Sequence, residues 1–304
     1  MAGRPDRSPG QLMEILTHMR DQNIWPEVRI LTPGEDLNPL IKQALKDGTR
    51  LVVVSGGDGT IDSVAAELAG TPLTLGILPT GTANNLAINL RIPRNLGEAV
   101  AVLRAGRRVK IDLGLAKSGK EKRYFLELIT LGLLSDIFPP GEEFRRGDLL
   151  KAGEVLSTFA ASSPSVITLE MDRKKPISLM AYSVVVANMP YVGRNFRMNR
   201  SVSFRDSRLD VFVFTELNKI GLLSYAIRYL NGEISDETVK HFSVRNVKIN
   251  TDPRMAINAD GRPLPAGRIR IKVQAEALRV MANTEKGHGP RKAEVVELTK
   301  MEHG

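Results

Sequence analysis

Arg50-Leu51-Val52-Val53-Val54-Ser55-Gly56-Gly57-Asp58-Gly59-Thr60 decides how this chain folds. A β-branched apolar run that stops at a glycine cluster reads as a buried parallel strand turning directly into a helix. Beyond the glycines, Ile61, Val64, Ala65 and Leu68 recur on one helical face. Glycines without Cβ let the backbone approach a polyphosphate, amides at a helix start favour anionic oxygens, and Thr60 adds a hydroxyl. A purely structural strand-to-helix turn also selects glycine and aspartate. The position between strand and helix favours the phosphate reading.

Working outward, the pattern alternates. Upstream, Leu12, Ile15, Leu16 and Met19 predict a helix over 11–20, opened by Ser8-Pro9-Gly10-Gln11 as a capping box. Glu27 to Leu31 reads as a short strand, and Asn38 caps a helix from Pro39 to Lys46. Downstream, Leu73 to Leu78 reads as the next buried strand, Asn84 to Asn89 and Glu98 to Ala105 as helices, and Val109 to Leu113 as a strand. Between strand and helix lies Pro79-Thr80-Gly81-Thr82-Ala83-Asn84-Asn85-Leu86-Ala87. Alone, it is equally a turn with an N-cap from Thr82 or Asn84. In a doubly wound sheet, loops at the carboxyl ends of neighbouring strands meet at one crevice, so both loops can contact one ligand.

From about 109 the character changes. Val166 to Glu170, Ala181 to Ala187, Leu209 to Phe214, Val244 to Asn250 and Arg268 to Val273 are β-rich runs. A helical stretch at Ile220 to Leu230 and a charged segment at Glu142 to Gly153, with Arg145, Arg146 and Lys151, interrupt them. The expected organisation is an α/β nucleotide-binding domain over 1–108 followed by a β-rich substrate domain over 109–282. The charged tail 283–304 is expected to pack back on the first domain.

The composition narrows the chemistry. The 304 residues include no cysteine, which excludes disulfides, zinc-thiolate sites and thiol nucleophiles. The four histidines lack metal-ligand spacing. Apolar runs fall well short of the roughly 20 residues that cross a bilayer, and the amino terminus has no apolar region of a secretory signal, so a cytoplasmic chain is expected. A net charge of +9 suits anionic lipid headgroups, nucleotides or nucleic acid, but five tyrosines and one tryptophan are too few for stacking platforms, so nucleic acid is not expected. Asp260 beside Gly261 is, by itself, a common hairpin turn. Asp206 and Asp210 are read equally as hard oxygen ligands for Mg²⁺ and as a surface turn.

GGDGT followed by PTGTANNLA resembles the diacylglycerol kinase catalytic family, which includes bacterial lipid kinases and sphingosine kinases. Asn188-Met189-Pro190-Tyr191-Val192-Gly193 is similar to its N-x-P-x-x-G segment, Asp206 to Asp210 to DGxLD, and Asn258-Ala259-Asp260-Gly261 to its late DG motif. The resemblance implies an NAD kinase-like fold: a Rossmann-like nucleotide-binding domain followed by a β-sandwich. It implies ATP and Mg²⁺ as reagents and a lipid hydroxyl as acceptor, diacylglycerol by default, reached at a membrane surface. Gly56, Gly57, Asp58, Gly59, Thr60, Gly81, Thr82 and Asn84 would bind nucleotide, Asp260 would be the base, and Asp206 and Asp210 would bind metal. A homodimer is left open. The chain also departs from the family. Only Ala2-Gly3-Arg4 remains of the first strand's N-P-x-S-G ending, Asp62-Ser63 replaces an N-E pair, Ser207 replaces glycine, and Arg262 replaces the acid of DGE. Arg262, Ser63 and the missing first strand motivate a competing reading as a silent nucleotide- or lipid-binding protein. A second enzyme reading, an NAD kinase- or phosphofructokinase-type enzyme of a soluble acceptor, rests on the GGDG-type loop those families share, and PTGTANNLA and the late DG motif argue against it.

Overall fold

A computed structural model describes residues 8–32, 34–137, 163–192, 196–197, 202–215 and 239–283. The expectations for Glu142 to Gly153, Ile220 to Leu230, Gly193, the remnant Ala2-Gly3-Arg4 and the tail after Asn283 lie outside them. The elements run α1 (Ser8–Asp21), α2 (Asn38–Lys46), β1 (Leu51–Gly56), α3 (Asp58–Leu68), β2 (Thr74–Pro79), α4 (Asn85–Asn89), α5 (Leu96–Ala105), β3 (Arg107–Ser118), β4 (Glu121–Phe125), β5 (Leu128–Gly132) and α6 (Leu133–Ile137). There follow β6 (Ser165–Met171), β7 (Ile177–Ala181), β8 (Ser183–Ala187), β9 (Tyr191–Val192), β10 (Phe196–Arg197), β11 (Leu209–Phe214), β12 (Val239–Val244), β13 (Asn246–Asp252), β14 (Ile257–Ala259), β15 (Arg262–Leu264) and β16 (Ile269–Ala282).

The first half alternates helix and strand as expected, with β1 and β2 parallel and in register from Leu51↔Thr74 to Gly56↔Pro79. β2 is buried along its whole length, which is why it reads as a continuous apolar run. The expected strand at Glu27 to Leu31 is not formed, and Ile30 is 81% exposed. Among the described residues β1 pairs only with β2, and Glu27 to Leu31 does not join its other edge. A run of strand-forming residues without a partner strand cannot satisfy its backbone as a sheet.

The two halves share a sheet. Eight strands form it, in the order β1-β2-β16-β13-β6-β7 with β3 and β4 branching from β16. β16 pairs in parallel with β2 at Arg279 and Val280, and antiparallel with β3 along nearly its whole length. Its end carries Leu278, Val280 and Met281 into the core of the α/β half, and its start carries Ile269 and Ile271 into the sandwich core. The change occurs at a bulge between Gln274 and Leu278. There Glu276 takes φ 51°, and its amide donates to Asp112 Oδ1 at 2.8 Å. The other oxygen of Asp112 accepts from Ser207 at 2.6 Å, where φ is 58°. The glycine of the related motif is thus replaced by a serine in left-handed backbone, fastened by a buried carboxylate.

The second sheet, β12-β11-β8-β5-β14-β15, is antiparallel throughout. Ile129, Val184, Val186, Val211, Val213 and Ile257 line its inner face against Ile167, Leu169, Val247, Ile249, Ile269 and Ile271 of the first sheet. Period-2 alternation therefore gives a two-layer core.

Phe125 closes the junction. It pairs with Gly114, and a Cβ on Gly114 would stand 2.0 Å from the Phe125 ring. Gly114→Ala is expected to expel the ring and cost about 2 kcal/mol or more of stability, checked by chemical denaturation.

Candidate active site

The cleft is built at the carboxyl ends of β1 and β2. Gly57 is the N-cap of α3, and its carbonyl accepts the amides of Thr60 and Ile61, both at 3.1 Å. The second loop returns against it, with the Thr80 amide donating to Gly56 O at 3.2 Å. Gly81 then lies backbone to backbone with Gly57, and a Cβ on Gly81 would stand 2.3 Å from Gly57 Cα. Asn84, at φ 58°, closes this loop on itself. Its Oδ1 accepts from Gly81 N at 3.0 Å, and its Nδ2 donates to Gly81 O at 2.7 Å.

Asp58 joins the loops. It is buried, and its two oxygens accept the amides of Asn84 at 3.0 Å and Asn85 at 2.6 Å. The structure thus brings together all eight residues expected to bind nucleotide but divides their work. Gly56, Gly57 and Gly81 allow close packing through missing side chains, Gly59, Thr60 and Thr82 are exposed, and Asp58 and Asn84 spend their side chains on the loop framework.

From Asp58 the network continues. Asn85 Nδ2 donates to both carboxylate oxygens of Glu127, at 3.0 and 2.8 Å. The Glu127 amide donates to Asp260 Oδ1 at 3.0 Å. Asp260 also accepts Leu128 N on Oδ1 at 3.0 Å and Leu126 N on Oδ2 at 2.6 Å. It occupies a two-residue hairpin loop with Gly261, at φ 44° and 69°, between Ala259 and its partner Arg262. The hairpin reading of Asp-Gly and the functional reading therefore describe one residue, because the turn is what aims the carboxylate.

Arg262 fastens this hairpin to α3. Its Nη2 donates to Gly59 O at 2.8 Å and to Ser63 Oγ at 2.6 Å. The departures at 63 and 262 are thus a matched pair. Burial pushes the Asp260 carboxyl upward, against three amides and Arg262 that favour its ionised form. Asp62 is raised well above the usual carboxylate range by desolvation and by repulsion from Asp260, Glu127 and Asp58, with Arg262 opposing. Sequence reasoning left Asp62, Glu127 and Asn85 without roles. Glu127 carried a usable signal, as a single acid in the apolar run Tyr124 to Ile129.

Residues 6–116 match the diacylglycerol kinase catalytic domain, and residues 143–282 match the YegS C-terminal NAD kinase beta sandwich-like domain. The chain thus carries a diacylglycerol kinase catalytic domain followed by a YegS-type sandwich domain. It is 29% identical over 270 residues to a YegS-like lipid kinase of Serratia proteamaculans, named as probable, covering 86% of this chain and 85% of that one. With a diacylglycerol kinase of Bacillus subtilis it shares 27% over 263 residues, 82% of this chain and 83% of the relative. It also shares 27% over 283 residues, 85% of this chain, with an uncharacterized Synechocystis protein, of which it spans 62%. A diacylglycerol kinase crystal structure from Bacillus anthracis superposes with TM-score 0.65 at 19% identity, over 90% of this chain and 92% of that one, which establishes the fold.

In this kinase, the expected metal ligands stand apart from the cradle network. Asp206 Oδ1 accepts the Arg208 amide at 3.0 Å, forming a local turn. Asp210 is buried, with Oδ1 2.6 Å from His241 Nε2 and Oδ2 without a hydrogen-bond partner among the described residues. Burial raises both carboxyls. Oδ2 of Asp210 suits a hard cation in donor chemistry, but no group of three or more acidic or histidine side chains that could hold a metal occurs among the described residues.

Two outcomes follow from the cradle. Gly81→Ala is expected to part the two loops and abolish ATP binding while the far-UV spectrum stays native, checked by titration calorimetry. As the expected base, Asp260 would work only when deprotonated, so its raised carboxyl would place the acid limb of kcat/KM above the ordinary aspartate range. Arg262→Gln removes a cation that holds this carboxyl down, so the acid limb should move to still higher pH; an unmoved limb would separate Arg262 from the base.

Proposed function

We propose that this kinase transfers the γ-phosphoryl group of ATP to a lipid hydroxyl, with a diacylglycerol-like alcohol as acceptor. The observation that carries this is the continuous path Asp58–Asn85–Glu127–Asp260, which ties the phosphate cradle to a desolvated carboxylate. Gly57 and Gly81 let the two loops pack backbone to backbone, and Gly59, with nothing within 4 Å of a Cβ position, leaves open space at the start of α3 for a triphosphate. The α3 amino terminus supplies amides and dipole for the anionic oxygens.

Asp260 Oδ1 already accepts two amides, whereas Oδ2 accepts one. Oδ2 thus keeps a lone pair for the acceptor's proton. As the hydroxyl oxygen bonds to the γ-phosphorus, the bond from that phosphorus to the β,γ-bridging oxygen breaks, the proton passes to Oδ2, and ADP leaves with the electron pair. Mg²⁺ accompanying the triphosphate would neutralise its charge. Asp206 and Asp210 remain the proposed protein ligands for a metal, through the Asp210 oxygen that has no hydrogen-bond partner among the described residues.

The decisive measurement is transfer of labelled γ-phosphate from ATP to an extracted lipid mixture. The native chain should label a lipid, and Asp260→Asn should lower the rate by at least about 100-fold with ATP affinity retained. Labelling of a soluble dinucleotide or sugar instead would reassign the acceptor, and unchanged turnover in Asp260→Asn would remove this residue as base.

A further inference from the structure

The outer face of the eight-stranded sheet, opposite the sandwich core, carries a row of cations. Through consecutive strand pairings, Lys122 of β4 faces Lys117 of β3, Lys117 faces Arg270 of β16, Arg270 faces Lys248 of β13, and Lys248 faces Glu170 of β6. All four cations are exposed. Lys248 is paired with Glu170 at 2.7 Å, while Lys122, Lys117 and Arg270 make no ion pair among the described residues. Adjacent strands lie about 4.8 Å apart, so three uncompensated cations fall within about 10 Å. Like charges directly opposite on neighbouring strands destabilise a sheet, so the row is a cost that folding does not require. Lys272, exposed one step along β16, extends the same charge.

Two further features define the surface. On the same face, Val166 of β6 and Met180 of β7 are cross-strand partners that remain 44% and 51% exposed. The strand that begins the cation row leads into the Asp260 site: Lys122 lies four residues before Leu126, whose amide holds Asp260. A flat face with aligned cations and an exposed apolar pair fits an anionic bilayer, where cations meet headgroups and apolar side chains enter the interface. A second copy docked through the same row would oppose cation to cation. Nucleic acid would find no aromatic side chain in the row to stack on.

We infer that this sheet face, through Lys122, Lys117, Arg270 and Lys248, docks the kinase on anionic membrane and so presents the cleft to its acceptor. This rests on the lipid-kinase reading above for its purpose, not for its binding test. The test is co-sedimentation of the full chain with phosphatidylcholine vesicles, with or without phosphatidylglycerol, at low and high salt. K117E/R270E is compared with K42E/K46E, which makes the same charge change on exposed positions of α2. At about fivefold per cation near an anionic surface, K117E/R270E should lose about 25-fold or more in partitioning, and K42E/K46E should lose much less. Melting temperatures of both variants verify folding.

Equal losses in the two variants would assign binding to net charge and overturn the inference, as would equal partitioning of the native chain to neutral and anionic vesicles. Retained vesicle binding in K117E/R270E, or selective loss of duplex DNA binding with no vesicle binding in the native chain, would overturn it too. Phosphorylation of lipid dispersed in neutral detergent separates the two readings. Native-like activity of K117E/R270E there, with loss on anionic vesicles, supports docking. A native chain inactive in detergent and on vesicles removes the lipid-kinase reading, while sedimentation still decides the face.

Discussion

The buried carboxylate of Asp58 is the constraint on which the rest of the site depends. By accepting the amides of Asn84 and Asn85 it fixes the start of α4 against the start of α3, and it does so from within the glycine loop itself. Hydrogen bonds to an ionised group contribute about 1.5–3 kcal/mol each, enough to hold a loop with left-handed backbone at Asn84. Its consequence is the close passage of Gly57 and Gly81. A cradle that looks like two independent loops along the chain is mechanically one object.

The shared sheet makes the same argument at larger scale. β16 serves both cores because a bulge at Gln274 to Leu278 lets one strand change partners, and Asp112 holds that bulge together with the turn at Ser207. Two cores built on common strands cannot shift freely against each other. This rigidity fixes Asp260, carried by the sandwich, relative to the glycine loops carried by the α/β half. The amides of Leu126, Glu127 and Leu128, which follow β4 in the shared sheet, are what Asp260 of the second sheet accepts.

The replacement of two family acids by Ser63 and Arg262 is a coordinated change. With these residues a guanidinium bridges α3 and the hairpin of Asp260, near Asp62 and the three acids that repel it. The cation thereby lowers the cost of gathering Asp58, Asp62, Glu127 and Asp260 in one desolvated place.

The sequence by itself determined the strand–glycine–helix units, most helices and strands, and the identity of the glycines, because each follows from local periodicity, missing Cβ atoms and turn chemistry. The family resemblance singled out Asp260, which local chemistry alone read as a hairpin residue. The Glu27 to Leu31 strand failed because a strand exists only with a partner, which local pattern does not report. Only the tertiary structure decided that Asp58 and Asn84 spend their side chains on the framework, that Glu127 meets Asn85, and that Arg262 meets Gly59, 203 residues away. The reason is physical: the partner of a buried polar group is set by which strands and turns become neighbours in space, and that adjacency arises from the whole core.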